Sequence, residues 1–191
     1  MELIRPTKVW SQSEVLATPS PVPKQPGIYA WYFREVPPTV LVSNCVCYDC
    51  LTLLYLGIAP TAPPKDGTKA SGQTLSDRIH NHYRGNASGS TLRLSLGCLL
   101  SQKLNIQLRR VGKTERMTFA DGEASLTVWM RQNAFVTWVV DPQPWEHEVE
   151  LIATYSPPHN LQHNRSNPFY MTLSSVRSTA KATARQMPVR E

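Results

Sequence analysis

Apolar positions along the chain fall in short runs, and their spacing switches between the two-residue beat of strands and the three-to-four-residue beat of helices. Four prolines over residues 18–26 make an extended lead-in, and the β-formers of 27–33 predict a strand with which the fold proper opens. Residues 40–42 and 51–58 are two further apolar runs, with 43–49 as the connection of an antiparallel hairpin. Three prolines, two glycines and two lysines make 60–72 a loop. It delivers Thr74, a candidate N-cap with Asp77 three residues later, to a helix over 75–83.

Gly85-Asn86-Ala87-Ser88-Gly89 ends that helix, after which Leu92, Leu96, Leu99 and Leu100 share one face of a second helix within 90–103. Residues 106–111 and 117–119 are read as strands, 122–132 as a helix, and 134–140 as the central strand. Pro144 suits a first helical position, and the helix through Tyr155 stops at Ser156-Pro157-Pro158. Residues 173–185 fit either a last helix or a loosely ordered basic tail. The fold class is α/β of the α+β type, a small, mainly antiparallel sheet flanked by helices. Residues 1–25 read as an N-terminal extension, 26–170 as one domain with a helical insertion at about 85–132, and 171–191 as a basic C-terminal helix or tail.

Composition narrows the class. A 41% hydrophobic content over 191 residues suffices for one core. No apolar run nears the roughly 20 residues of a membrane span, and the opening residues lack a secretory stretch. A cytoplasmic protein without a membrane partner is therefore expected. Four cysteines are too few for a disulfide scaffold and fit free thiols in a reducing compartment. Cys45, Cys47 and Cys50 supply only three irregularly spaced ligands, which sets zinc aside. The net charge of +6 and a pI near 9.3 favour polyanionic partners.

The charges that matter sit in unusual places. On the helix after Pro144, Trp145, Val149, Leu151, Ile152 and Tyr155 form one broad apolar face, and Glu148 falls inside it, whereas Glu146 and Glu150 point away. A carboxylate there needs a cation or strong donors, which makes it a candidate metal ligand or one half of a structural ion pair. Arg78 and His82 are four apart on one helix face, where a guanidinium fork and a titratable imidazole suit phosphodiester chemistry, or simply a solvated surface. Tyr29 and Tyr55 lie in strand segments, where a tyrosine commonly packs.

In combination, Gly27-Ile28-Tyr29, Tyr55-Leu56-Gly57, Arg78 with His82, Glu148 and the Asn160 of Pro157-Pro158-His159-Asn160 resemble the GIY-YIG nuclease superfamily in order and element type. The likeness covers roughly residues 26–164. Its Arg-x-x-x-His pair is most similar to the restriction-enzyme branch. The chain departs from the pattern in the leucine of Tyr-Leu-Gly, in the long gap between the tyrosine motifs and in the insertion.

The resemblance implies a metal-dependent endonuclease acting on DNA, with Glu148 holding one Mg²⁺ or Mn²⁺. It implies Tyr29 as general base, assisted by Arg78, His82 or metal-bound water, Tyr55 orienting Tyr29 or the phosphate, and Arg78 stabilising phosphorane charge. Asn160 would brace the site, although as a residue after two prolines it also suits a turn. Lys65, Lys69, Arg84, Arg93, Arg109, Arg110 and Arg165 could line a nucleic-acid groove, with Lys69 and Arg84 the preferred contacts. A homodimer would allow both strands to be cut. The rival readings are a toxin-like ribonuclease, a catalytically silent nucleic-acid-binding domain and a protein-interaction module.

Overall fold

Alternation along the first strand organises the molecule. In this computed structural model, which describes residues 2–64, 71–114 and 116–191, β1 (Gly27–Phe33) is buried on both faces. Tyr29, Trp31 and Phe33 point into a large core, while Ile28, Ala30 and Tyr32 point into a smaller one. Its neighbours are β3 (Leu51–Ala59) on one side and β6 (Ala134–Val140) on the other, both antiparallel, and β2 (Cys47–Tyr48) extends the sheet beyond β3. The strand order is β2-β3-β1-β6.

Two expectations fail here for physical reasons. β6 is an edge strand, because it pairs with β1 alone among the strands and its outer side is met by Trp10, whose backbone N–H and C=O bond Val136. The central position belongs to β1 and β3. The hairpin partner of β3 is Cys47–Tyr48 and not residues 40–42, which form no strand. Leu41 is exposed, and Val40 and Val42 only pack against the core margin.

Helices cover both faces. The reciprocal Thr74–Asp77 capping box starts α2 (Leu75–Arg84), whose Leu75, Ile79 and Tyr83 enter the large core. Ser90 caps α3 (Thr91–Leu99), and α4 (Ser101–Leu104) follows, so the single helix read over 90–103 is broken at Leu100. α5 (Gly122–Asn133) completes this side, while β4 (Arg109–Val111) and β5 (Arg116–Thr118) form a separate hairpin. On the other face α6 (Trp145–Tyr155) packs on β3 through Leu151 and Ile152. The C-terminal segment is an ordered helix, α7 (Tyr170–Gln186), against α3. The lead-in contributes as well: a short α1 (Gln12–Val15) was not foreseen, and Leu3, Ile4, Val15 and Val22 are buried in the two cores. No helix among the described residues is long and apolar enough to cross a membrane.

Candidate active site

The two tyrosine motifs meet because β1 and β3 are partners in register, Tyr29 lying opposite Gly57. A Cβ on Gly57 would stand 2.6 Å from the Tyr29 hydroxyl oxygen, so the glycine of Tyr-Leu-Gly is the space into which the Tyr29 ring folds. Gly27 has a parallel duty, since a Cβ there would collide with the Val139 carbonyl. Tyr55 reaches the same side by a β-bulge. The register shifts between Trp31 and Tyr32, and Leu54 and Tyr55 consequently both join the large core while Leu53 and Leu56 join the small one.

α2 brings His82 and Arg78 to these rings. His82 Nε2 lies 2.8 Å from the Tyr29 hydroxyl and Nδ1 lies 2.7 Å from Ser90 Oγ, with the imidazole fully buried among Tyr29, Trp31 and Tyr55. The expectation of a histidine titrating near neutrality is not met: burial first, then the Arg78 and Arg93 charges, hold its pKa well below the ordinary range, so it is neutral. Arg78 is half-buried beside the Tyr29 hydroxyl and within electrostatic reach of Tyr55. Burial, and secondarily Tyr55, push the Tyr29 phenol far above its usual value, with Arg78 acting the other way.

The Tyr55 hydroxyl lies 3.2 Å from Thr91 Oγ1. Ser90 and Thr91, the N-cap and first residue of α3, therefore hold His82 and Tyr55 in place. Sequence inspection passed over both, because an N-cap serine carries no mark of a second partner. Past α6, the His159 N–H donates to the Leu54 carbonyl, and the Asn160 amide bonds Leu56 twice, accepting from its N–H at 2.9 Å and donating to its carbonyl at 2.8 Å. This segment clamps β3 on both sides of Tyr55.

Glu148 lies within electrostatic reach of both tyrosine hydroxyls. The helix face is narrower than expected, since Val149 is 50% exposed, yet Glu148 itself is half-buried in line with Trp145, Ile152 and Tyr155. Burial raises its pKa, the His163 charge offsets part of this, and among the described residues the carboxylate has neither hydrogen bond nor ion pair. The structure thus brings together Tyr29, Tyr55, Arg78, His82 and Glu148, braced by Asn160.

Residues 27–179 match the family model described as the GIY-YIG catalytic domain. The chain belongs to the GIY-YIG family. No curated protein and no solved structure matches it. As a GIY-YIG protein it has a nuclease-type function, which implies a nucleic acid substrate, and such nucleases generally use divalent metals.

Of the basic residues expected along a groove, Arg84 is exposed and Lys69, like Lys65, lies outside the described residues. Arg93 is removed from that set. Its guanidinium is fully buried and paired with Glu123 at 2.7 Å. Arg109 and Arg110 donate to carbonyls of the C-terminal segment at Pro188 and at Ala184 and Met187.

Proposed function

We propose that this GIY-YIG protein is an endonuclease that hydrolyses phosphodiester bonds in DNA with one Mg²⁺ or Mn²⁺ held by Glu148. The observation that carries the reading is the Tyr29–His82 pair, with Arg78 beside its phenol and, within electrostatic reach, a Glu148 carboxylate that has no partner among the described residues. A half-buried carboxylate without a partner fits a hard cation that needs a single protein ligand and takes its other oxygens from water and phosphate. When bound, the ion would neutralise charge on the phosphate and on the departing alkoxide.

The remaining steps belong to the chain. Tyr29 takes a proton from the attacking water at its hydroxyl oxygen while its own proton moves to His82 Nε2. The neutral imidazole takes that proton only as charge passes to the phosphate, since burial and the Arg78 and Arg93 charges disfavour a lasting imidazolium. Arg78 stabilises the charge growing on the phosphorane, and Tyr55 donates to a phosphoryl oxygen. Asn160 keeps the Tyr55 segment of β3 in place.

A second reading is favoured by the burial of Tyr29, 1% exposed with its pKa driven upward. In it the phenol keeps its proton and only orients the water. The two differ in magnitude. Tyr29→Phe lowers the single-turnover rate by about 10²–10⁴-fold for a general base, and by about tenfold for one orienting hydrogen bond.

Incubating plasmid, single-stranded DNA and RNA with Mg²⁺ or Mn²⁺, beside a Glu148→Ala variant, tests the function. Metal-dependent DNA cleavage lost in the variant is expected. Cleavage of RNA alone would install the ribonuclease reading, and binding without cleavage the silent domain. A homodimer that cuts both strands is part of the proposal, and sedimentation on a duplex checks it.

A further inference from the structure

A second charge occupies an apolar stripe. On α7, Leu173, Ala180 and Ala184 recur on one helix face, the first and last fully buried and Ala180 packed on the large core. Arg177 lies on that stripe, four residues after Leu173 and three before Ala180. It is half-buried, within electrostatic reach of Tyr55 and of the Cys98 thiol of α3. Lys181, one turn further along, also bears on Cys98. Among the described residues neither cation has a hydrogen bond or an ion pair. The thiol does not neutralise them, because burial pushes its pKa up to about 11. A partly desolvated guanidinium without an acid lacks the anion that would repay its burial.

The position relative to the tyrosines says which anion. Arg78 acts on both Tyr29 and Tyr55, Arg177 acts on Tyr55, and α7 packs on α3, whose Thr91 lies against the Tyr55 hydroxyl. Arg177 therefore stands on the Tyr55 side of the site. We propose that Arg177, with Lys181 one turn beyond it, forms a second phosphate subsite that holds the backbone phosphate flanking the scissile one on the Tyr55 side. This rests on the nuclease reading above. Guanidinium geometry suits two phosphate oxygens, and the helical spacing of the two cations follows the strand away from the centre. Under this assignment α7 is part of the substrate track, and Arg177 acts mainly on binding whereas Arg78 acts mainly on the chemical step.

The test uses the full chain as wild type, R177A, R177K and R78A, with a duplex whose cleavage position has been mapped. Binding is followed against salt concentration in EDTA, and KM and kcat with Mn²⁺. R177A is expected to weaken binding by about tenfold. It is also expected to flatten the slope of log K against log salt by about 0.7–0.9, the value of one lost phosphate contact. R177K should retain most of the slope, and the loss should fall on KM more than on kcat, the reverse of R78A. A neutral methylphosphonate at the flanking position should cost the wild type affinity and cost R177A none. If R177A does not fold, R177Q, which keeps much of the side-chain length, replaces it in both measurements. An unchanged salt slope, or equal methylphosphonate penalties in both proteins at every position, overturns the subsite while leaving a cleaving wild type intact. A wild type that neither binds nor cuts nucleic acid removes the nuclease reading, and the subsite with it.

Discussion

His82 Nε2 stands 2.8 Å from the Tyr29 hydroxyl, and the other nitrogen of the same ring stands 2.7 Å from Ser90 Oγ. The three side chains form a buried line in which the serine hydroxyl, able to donate or accept, holds the imidazole nitrogen opposite the tyrosine. Ser90 also caps α3 by accepting from the Arg93 N–H. Ser90→Ala is expected to cost about 0.5–2 kcal/mol of stability as a lost cap. As a positioning residue for His82, it is further expected to lower kcat by about tenfold and to displace the pH–rate profile. A merely structural serine would lower the amplitude of that profile and leave its shape unchanged, which is the outcome that removes Ser90 from the chemistry.

Glu148 presents a conflict between stability and function. Its pKa is raised chiefly by burial, so at neutral pH the ionised form is the one the fold disfavours. The folded state then binds the proton more tightly than the unfolded chain, and this contribution to stability is present below the ordinary carboxylate pKa and lost as pH rises through the raised one. Glu148→Gln, which removes the charge and keeps the shape, is expected to raise the Tm at neutral pH in the absence of metal. It should also cut cleavage by about a thousandfold and abolish the upward Tm shift with Mn²⁺. A lower Tm together with a surviving metal shift would assign the carboxylate to structure.

Much of this is legible in the sequence. The glycines of the two tyrosine motifs, the Thr74–Asp77 box and the charge of Glu148 within an apolar face are local patterns, and local patterns survive folding. Contributions from distant residues were not legible. The sequence of 134–140 is as apolar as a central strand, and only the pairing of β1 with β3 relegates it to an edge. The Leu54 bulge that turns Tyr55 inward is set by register, which single-strand alternation does not encode. Arg93, an unremarkable basic residue in sequence, is buried because Glu123 lies 30 positions away. Arg177 could have been found by the same helix-face argument that singled out Glu148.

Acid should loosen the fold through histidines that are buried uncharged. His159 is almost wholly buried, and both ring nitrogens lack a partner among the described residues. Burial lowers its pKa from 6.5 to about 3, and His82 moves in the same direction. Between those values the unfolded chain holds a proton on His159 that the folded one refuses. Stability present above pH 6.5 is therefore lost as pH falls towards 3, by up to about 1.4 kcal/mol per pH unit for each such histidine. Urea denaturation from pH 7 to pH 4 should show this decline, and His159→Leu should make it shallower. A variant whose decline equals that of the wild type would show that other groups govern the acid limb.

The segment 85–132, read in sequence as an insertion, grips the end of the helix that carries the site. The Arg93 guanidinium donates to the carbonyls of His82 and Tyr83 at 3.3 Å each, to Thr127 Oγ1 at 3.0 Å and to the Glu123 carboxylate at 2.7 and 3.0 Å. Glu123 in turn accepts from the Ala87 and Phe119 N–H groups. Breaking such a pair from one side leaves a partly buried carboxylate unneutralised and strands the His82 carbonyl at the end of α2, while the Tyr83 carbonyl keeps the Gln12 amide. Arg93→Met is accordingly expected to cost about 3–5 kcal/mol, measured by urea denaturation. Replacing both members, Arg93→Met with Glu123→Leu, should recover part of that stability because no lone charge remains, although the His82 carbonyl stays unpaired. At a temperature where each variant is folded, the double variant should still cut slowly, since His82 loses the donor that anchors its own carbonyl. A double variant with wild-type cleavage would show that the segment supports the fold without tuning the site, and a loss below about 1 kcal/mol in Arg93→Met would show that the pair is not what binds this segment to α2.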